Sequence, residues 1–159
     1  MSAGRAIALL LVLAATAARA EPYAVGAALE PFELADQHDQ VRKVDAARRA
    51  LLFTRDMQAG DALKQALAAD GGKLLDAAGA VCVADVSGMP ALVLRLFALR
   101  KLRERPYPLL LDRDGSQTAR LPAQTGKVSL LVLDALRVKE VRYLGTPDEI
   151  RAALAPPAK

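Results

Sequence analysis

Residues 49–67 read RALLFTRDMQAGDALKQAL, and the change of character along this stretch decides the fold. Its first part is a short apolar run bounded by charge, the pattern of a buried strand over 49–54. After a polar turn the pattern becomes helical from Ala59, with Leu63, Ala66 and Leu67 on one face. A strand that breaks straight into a helix N-terminus is a common home for a nucleophile, a phosphate cradle or a redox pair. Here the turn Arg55-Asp56-Met57-Gln58-Ala59-Gly60-Asp61 holds no Cys, Ser, Thr or His and no glycine-rich phosphate signature. The fold is announced, and its reactive corner is vacant.

Working outward toward the C-terminus, Leu74, Leu75 and Ala78 continue the helical face, with Asp70-Gly71-Gly72 placed to split it in two. AVCVAD, residues 80–85, has the β-branched, turn-bounded look of a central strand. Ser87 is a good N-cap and Pro90 suits a first turn. Met89, Leu92, Val93, Leu96 and Leu99 then predict the inward face of a helix running to about Arg103, stopped by Pro106. Leu109-Leu110-Leu111 predicts a strand ending at Asp112-Arg113-Asp114-Gly115. A polar segment to Leu121 and a loop over 122–127 lead to a hairpin of strands over 128–133 and 137–144. Thr146 and Pro147 open a last helix that turns Ile150, Ala153 and Leu154 inward.

Toward the N-terminus, Phe32 and Leu34 alternate with Glu33, the sequence DQHDQ turns, and Val41 and Val44 resume. This predicts a short antiparallel pair. Strand-helix alternation followed by an antiparallel pair and a terminal helix calls for an α/β mixed β-sheet with helices on both faces, extended by an N-terminal β-hairpin.

The first twenty residues, MSAGRAIALLLVLAATAARA, have the marks of a secretory signal peptide: Arg5 in the n-region, an apolar run from Ala6 to Ala18, and Ala18-Arg19-Ala20 before Glu21. A bilayer span needs about 20 apolar residues, more than this run offers. The expected organisation is a signal peptide over 1–20 cleaved after Ala20, one domain over 21–155 and a disordered tail over 156–159. The expected location is a bacterial periplasm, with no membrane span after cleavage. Cleavage leaves 20 basic and 18 acidic residues, a balance that is no footprint of nucleic-acid binding. The basic cluster Arg95 to Arg105 suits the solvated face and C-terminal turn of a helix, with an anionic-partner site as the other reading.

Cys82 is the single cysteine, so the chain can form no internal disulfide and no CxxC motif. On a central strand a lone thiol reads as a small apolar core residue; the competing reading is a reactive thiol.

Three stretches resemble the thioredoxin-like superfamily in its peroxiredoxin-type and periplasmic thiol-disulfide branch. These are VGAALEPFELADQHDQ from Val25, YPLLLDRDGSQTARL from Tyr107 and VSLLVLDALRVKEVRYLGTPDEIRAAL from Val128. The resemblance implies a thioredoxin-like domain whose cysteine pair or peroxidatic cysteine would fall within residues 57–61, where none occurs. It also implies a cis-proline near Lys127-Val128-Ser129, where there is none. The expected function is a non-catalytic binding or accessory module for an unknown periplasmic protein or a small anion, with no cofactor. An N-terminal helix turn with Arg55 beside it could take such an anion, involving Arg55, Asp56, Met57, Gly60 and Asp61, unless Asp56 or Asp61 caps the helix and consumes the donors. A single-cysteine oxidoreductase using Cys82 is the alternative. Copper-binding relatives of this fold use two cysteines and a histidine; only Met57, Met89 and His38 stand in for them here, so no metal site is assigned. Gly71-Gly72-Lys73 lacks the rest of a phosphate loop, and Asp112 and Asp114 read as turn residues.

Overall fold

The computed structural model describes residues 20–156. The expected signal segment lies outside the described residues except for Ala20, as does the tail beyond Pro156. The strands are β1 (Phe32–Ala35), β2 (Val41–Val44), β3 (Ala50–Thr54), β4 (Ala80–Asp85), β5 (Leu109–Asp112), β6 (Val128–Asp134) and β7 (Arg137–Leu144). The helices are α1 (Met57–Ala68), α2 (Lys73–Ala78), α3 and α4 (Pro147–Leu154). α3 is continuous but changes pitch: Ala91–Val93, a π-helical turn Leu94–Ala98, then Leu99–Arg103.

β1 and β2 form their own antiparallel hairpin, and the other five strands form one mixed sheet in the order β5-β4-β3-β6-β7. β3 lies at the centre, parallel to β4 and antiparallel to β6. All five of its residues are buried, which is why it reads as an unbroken apolar run instead of an alternating one. Each large apolar side chain fully buried on it contributes about 1.5–3 kcal/mol relative to exposure.

The expected mixed sheet and added hairpin are both present, but the helices all turn their buried side chains to one face. That face holds Leu52, Cys82, Leu109 and Leu130 beneath Leu63 and Leu67 of α1, Leu94 and Leu99 of α3 and Ile150 of α4. The opposite face, with Leu51, Phe53, Val83 and Leu131, is covered by Tyr23, Leu29, Phe32, Leu34 and Leu121. The strand order explains it. β3, β4 and β5 step in one direction across the sheet, and parallel crossovers are right-handed, so α1 and α3 must share a side. The polar segment 116–121 forms turns and adds no helix to the other side.

Local chemistry sets most boundaries as read. Gly72 adopts φ 87° at the start of α2 and presses on Tyr107, where a Cβ would meet the Tyr107 Cβ at 2.7 Å. Thr146 and Glu149 make a reciprocal capping box on α4, with Pro147 in the first turn. The β6–β7 turn is built on Ala135 and Leu136 at φ 46° and 66°, an uncommon use of left-handed backbone outside glycine. Two expectations fail. Ser87 does not cap α3; its hydroxyl donates to Asp85 Oδ1 at 2.6 Å, and α3 begins after Pro90 without a side-chain cap. And Leu92, Val93 and Leu96 are exposed, as is Phe97. The π-turn is the reason: Leu99 donates its N–H to the Leu94 carbonyl, so residues five apart share the buried side and a reading at three-to-four spacing picks the wrong face.

The N-terminal residues also finish the sheet. Asp36 bridges to Leu110 on the outer side of β5. The buried Gln37 side chain donates to the Tyr107 carbonyl and accepts from Leu109 N–H, both at 2.8 Å. At the far side, Gly26 and Ala27 bond to Val138 of β7.

Candidate functional site

β3 and β4 are parallel, so Thr54 and Asp85 end on the same side of the sheet, where the N-terminus of α1 begins. A cleft of about 540 Å³ opens there between α1 and α3. Arg55, Asp56, Met57, Gly60 and Asp61, all singled out from sequence, line it together. Met89, Leu102, Lys101 and Arg105 form the opposite wall, none of them assigned to this site from sequence.

Asp56 answers the question left open at the helix end. It takes an extended conformation as the N-cap of α1, and its Oδ1 accepts the Ala59 N–H at 2.9 Å. Its Oδ2 accepts the Gly126 N–H at 2.8 Å, tying the loop before β6 to the helix. The chain thus supplies its own anion to the positive end of α1. Gly126 was not legible as part of the site, although its need for glycine is plain here: φ is 73°, and a Cβ would meet the Gln58 side chain at 2.9 Å. Asp61 sits a turn further along, exposed, and caps nothing.

Arg55 is likewise engaged. Its Nε lies 3.3 Å from Asp85 Oδ2, a terminal nitrogen donates to the Thr118 carbonyl at 3.2 Å, and the guanidinium stands 5.2 Å from the Phe53 ring centre. The charge that sequence reading offered to a small anion is therefore shared with Asp85. Lys64, Lys101 and Arg105 line the same cleft and make no ion pair among the described residues. Gly60 leaves its stretch of wall open, with nothing within 4 Å of where a Cβ would stand. Met57 projects into solvent at 78% exposure. The cleft thus has an apolar floor and a rim with uncommitted cations.

Cys82 lies on the helix-covered face of β4, wholly buried, and does not line the cleft. Burial pushes its thiol up to about 12, with the Arg105 charge pulling weakly the other way. At neutral pH the thiol is therefore held in its protonated form. Burial also raises the Tyr107 hydroxyl to about 12.

Met57 and Met89 share the cleft, but His38 is exposed on the hairpin turn and does not line it. Among the described residues no three or more His, Cys, Asp or Glu side chains gather as a metal-binding group. Gly71-Gly72-Lys73 serves the start of α2. Asp112 accepts from Gly115 N–H, Thr118 N–H and the Thr118 hydroxyl, and Asp114 from Ser116 N–H, the turn roles expected of them. The peptide bonds of the described residues are all trans, those around Lys127-Val128-Ser129 included.

A central β3, an α1 starting at its C-terminal end, a parallel β4 and a closing β6-β7-α4 are now in place, with the cleft at the α1 N-terminus. The fold is thioredoxin-like. Solved structures agree. Peroxidoxin BcpB from Mycobacterium tuberculosis superposes with a TM-score of 0.55 at 22% identity, over 82% of this chain and 93% of that one. A peroxiredoxin-like protein from Aquifex aeolicus gives 0.55 at 10% identity, over 86% and 88%. The thioredoxin domain of a thiol-disulfide oxidoreductase from Bacteroides vulgatus gives 0.54 at 9%, over 83% and 96%. At these identities the likeness is one of fold. No family model and no curated protein sequence matches the chain. The thioredoxin-like scaffold here carries one cysteine, buried, and no CxxC.

Proposed function

We propose that this chain is an exported thioredoxin-like domain without redox chemistry, a binding or accessory module of the periplasm that works through the cleft at the start of α1. Export rests on the leader-like residues 1–20. The observation that best supports the absence of redox chemistry is Asp56. A carboxylate occupies the N-cap, and both its oxygens are bonded to backbone N–H groups, one of them on the loop before β6. The corner is closed by an acceptor that cannot act as a thiol nucleophile. The uncommitted Lys64, Lys101 and Arg105 above an apolar floor suit a ligand or partner segment that brings an apolar group and a negative charge.

The test is the rate at which Cys82 reacts with a thiol reagent in the native protein and in the urea-unfolded chain. The expected result is a native rate slower by about a thousandfold or more, since a buried, protonated thiol is a poor nucleophile. Rapid native reaction near neutral pH would replace this reading with a single-cysteine oxidoreductase. Fractionation of cells producing the full chain checks export: the processed form should appear in the periplasm with Glu21 at its N-terminus.

A further inference from the structure

We propose that α3 docks this protein on an anionic lipid surface. Three observations carry the proposal, and none depends on how the cleft is used.

The first is a ridge of bulky apolar side chains with no cover. Leu92, Val93, Leu96 and Phe97 are 67%, 42%, 58% and 65% exposed within two turns of one helix. None belongs to either core and none lines the cleft, so a partner seated in the cleft would leave them in water. The π-turn fixes this outcome by committing Leu94 and Leu99 to the sheet.

The second is charge. Residues 91–105 hold Arg95, Arg100, Lys101, Arg103 and Arg105 against the single acid Glu104, while the remainder of the chain from Glu21 has fifteen basic and seventeen acidic residues. The net positive charge of the chain from Glu21 is therefore that of this one segment. Arg103 is held by Asp39 and the Gln37 carbonyl, whereas Arg95 and Arg100, which do not line the cleft, have no ion-pair partner among the described residues.

The third is shape. The apolar side chains stand on the outward side of a helix whose other side is packed on the sheet, flanked by cations. That is a ridge for a flat, deformable surface, and a protein partner would need a matching groove. A Leu/Phe strip with arginines and lysines beside it is the composition of helices that lie in the plane of a bilayer interface, where apolar burial and attraction to anionic headgroups add. Thirteen helical residues are too short to span a bilayer, and α3 is anchored by one face, so docking is peripheral.

The chain from Glu21 holds every residue of both cores and is the form to test, by co-sedimentation with vesicles. Vesicles of phosphatidylglycerol and phosphatidylcholine in equal parts should pellet the protein. Vesicles of phosphatidylcholine alone should pellet it about tenfold or more less well, and binding should weaken as salt is raised. Two paired variants separate the contributions, Leu96→Glu with Phe97→Glu and Arg95→Glu with Arg100→Glu. All four positions are exposed, and unchanged thermal melts confirm that the variants fold. Each pair should lower partition onto the anionic vesicles by about tenfold or more. The proposal is overturned if the wild-type chain stays in the supernatant at millimolar anionic lipid. It is also overturned if it pellets equally well with both pairs changed. A wild-type dimer that Leu96→Glu with Phe97→Glu dissociates, in a chain that ignores vesicles, would assign the ridge to a second copy instead. Capture of an acidic protein without vesicle binding would overturn it equally.

Discussion

α1 and α3 lie on the same face of one sheet and wall the same cleft, yet they are held in opposite ways. α1 buries Ala59, Ala62, Leu63, Ala66 and Leu67 in a regular stripe and has a side-chain cap that also binds the loop before β6. α3 starts without a side-chain cap, changes pitch midway, and buries only Leu94 and Leu99. Its far end is steadied from outside, by Arg103 Nε donating to the Gln37 carbonyl at 2.9 Å and by Asp39. One helix is a structural member of the core, and the other is a surface that the core carries. The start of α1 is tied through both carboxylate oxygens of Asp56, while the opposite wall carries Lys101 and Arg105 with no ion-pair partner among the described residues.

The sharpest way to break that contrast is to weaken α1. Leu63→Ala should cost about 2–5 kcal/mol, the range for a fully buried leucine replaced by alanine, and urea titration reads it directly. Next comes the cap. Asp56→Ala removes an N-cap acceptor and strands the Gly126 N–H, and it should cost about 1–2 kcal/mol. If Asp56 matters only as a cap, Asp56→Asn should recover most of the loss, while hydrogen exchange at Gly126 should report whether the loop tie returns with it.

The hairpin that steadies α3 offers a titration. Burial pushes the Asp36 carboxyl up, but its bond to Arg42 and the N–H groups of Gln40 and His38 outweigh burial and hold it below the ordinary carboxylate value. A carboxyl depressed in the folded state contributes stability that is fully present above its unfolded value. That contribution is lost as pH falls through the lower, folded value. Urea midpoints should therefore drop below about pH 4, and Asp36→Asn should flatten that part of the drop. Smallest of all, Leu92→Ser on the outer side of α3 should shift stability by no more than about 0.5 kcal/mol. A loss several times larger would mean that the ridge is packed in the folded molecule and that the two helices are more alike than described.

Much of this was legible because local and global signals agree. The unbroken apolar run of β3, the paired glycines before α2 and the Thr146-Pro147 opening of α4 each name their element by chemistry that no tertiary contact overrides. Arg55, Asp56, Met57, Gly60 and Asp61 could be gathered because they are contiguous. What escaped was non-local or aperiodic. Gly126 is seventy residues from Asp56, and a lone glycine in a loop does not say which carboxylate will reach it. Lys101 and Arg105 belong to the cleft only because β3, β4 and β5 step one way across the sheet, which also put the helices on one face. The face of α3 was misread because a π-turn breaks the 3.6-residue period on which the reading stood.

The N-terminal segment has a further consequence. Asp36 and Gln37 occupy the open side of β5, and residues 26–27 occupy that of β7, so one stretch of chain closes both flanks of the sheet. Unpaired strand edges are templates for adding strands from other molecules. Without residues 26–44 this domain would lose more than stability: the N–H and C=O groups freed on both flanks would face neighbouring copies, and the failure would show as polymerisation before it showed as a lower melting temperature.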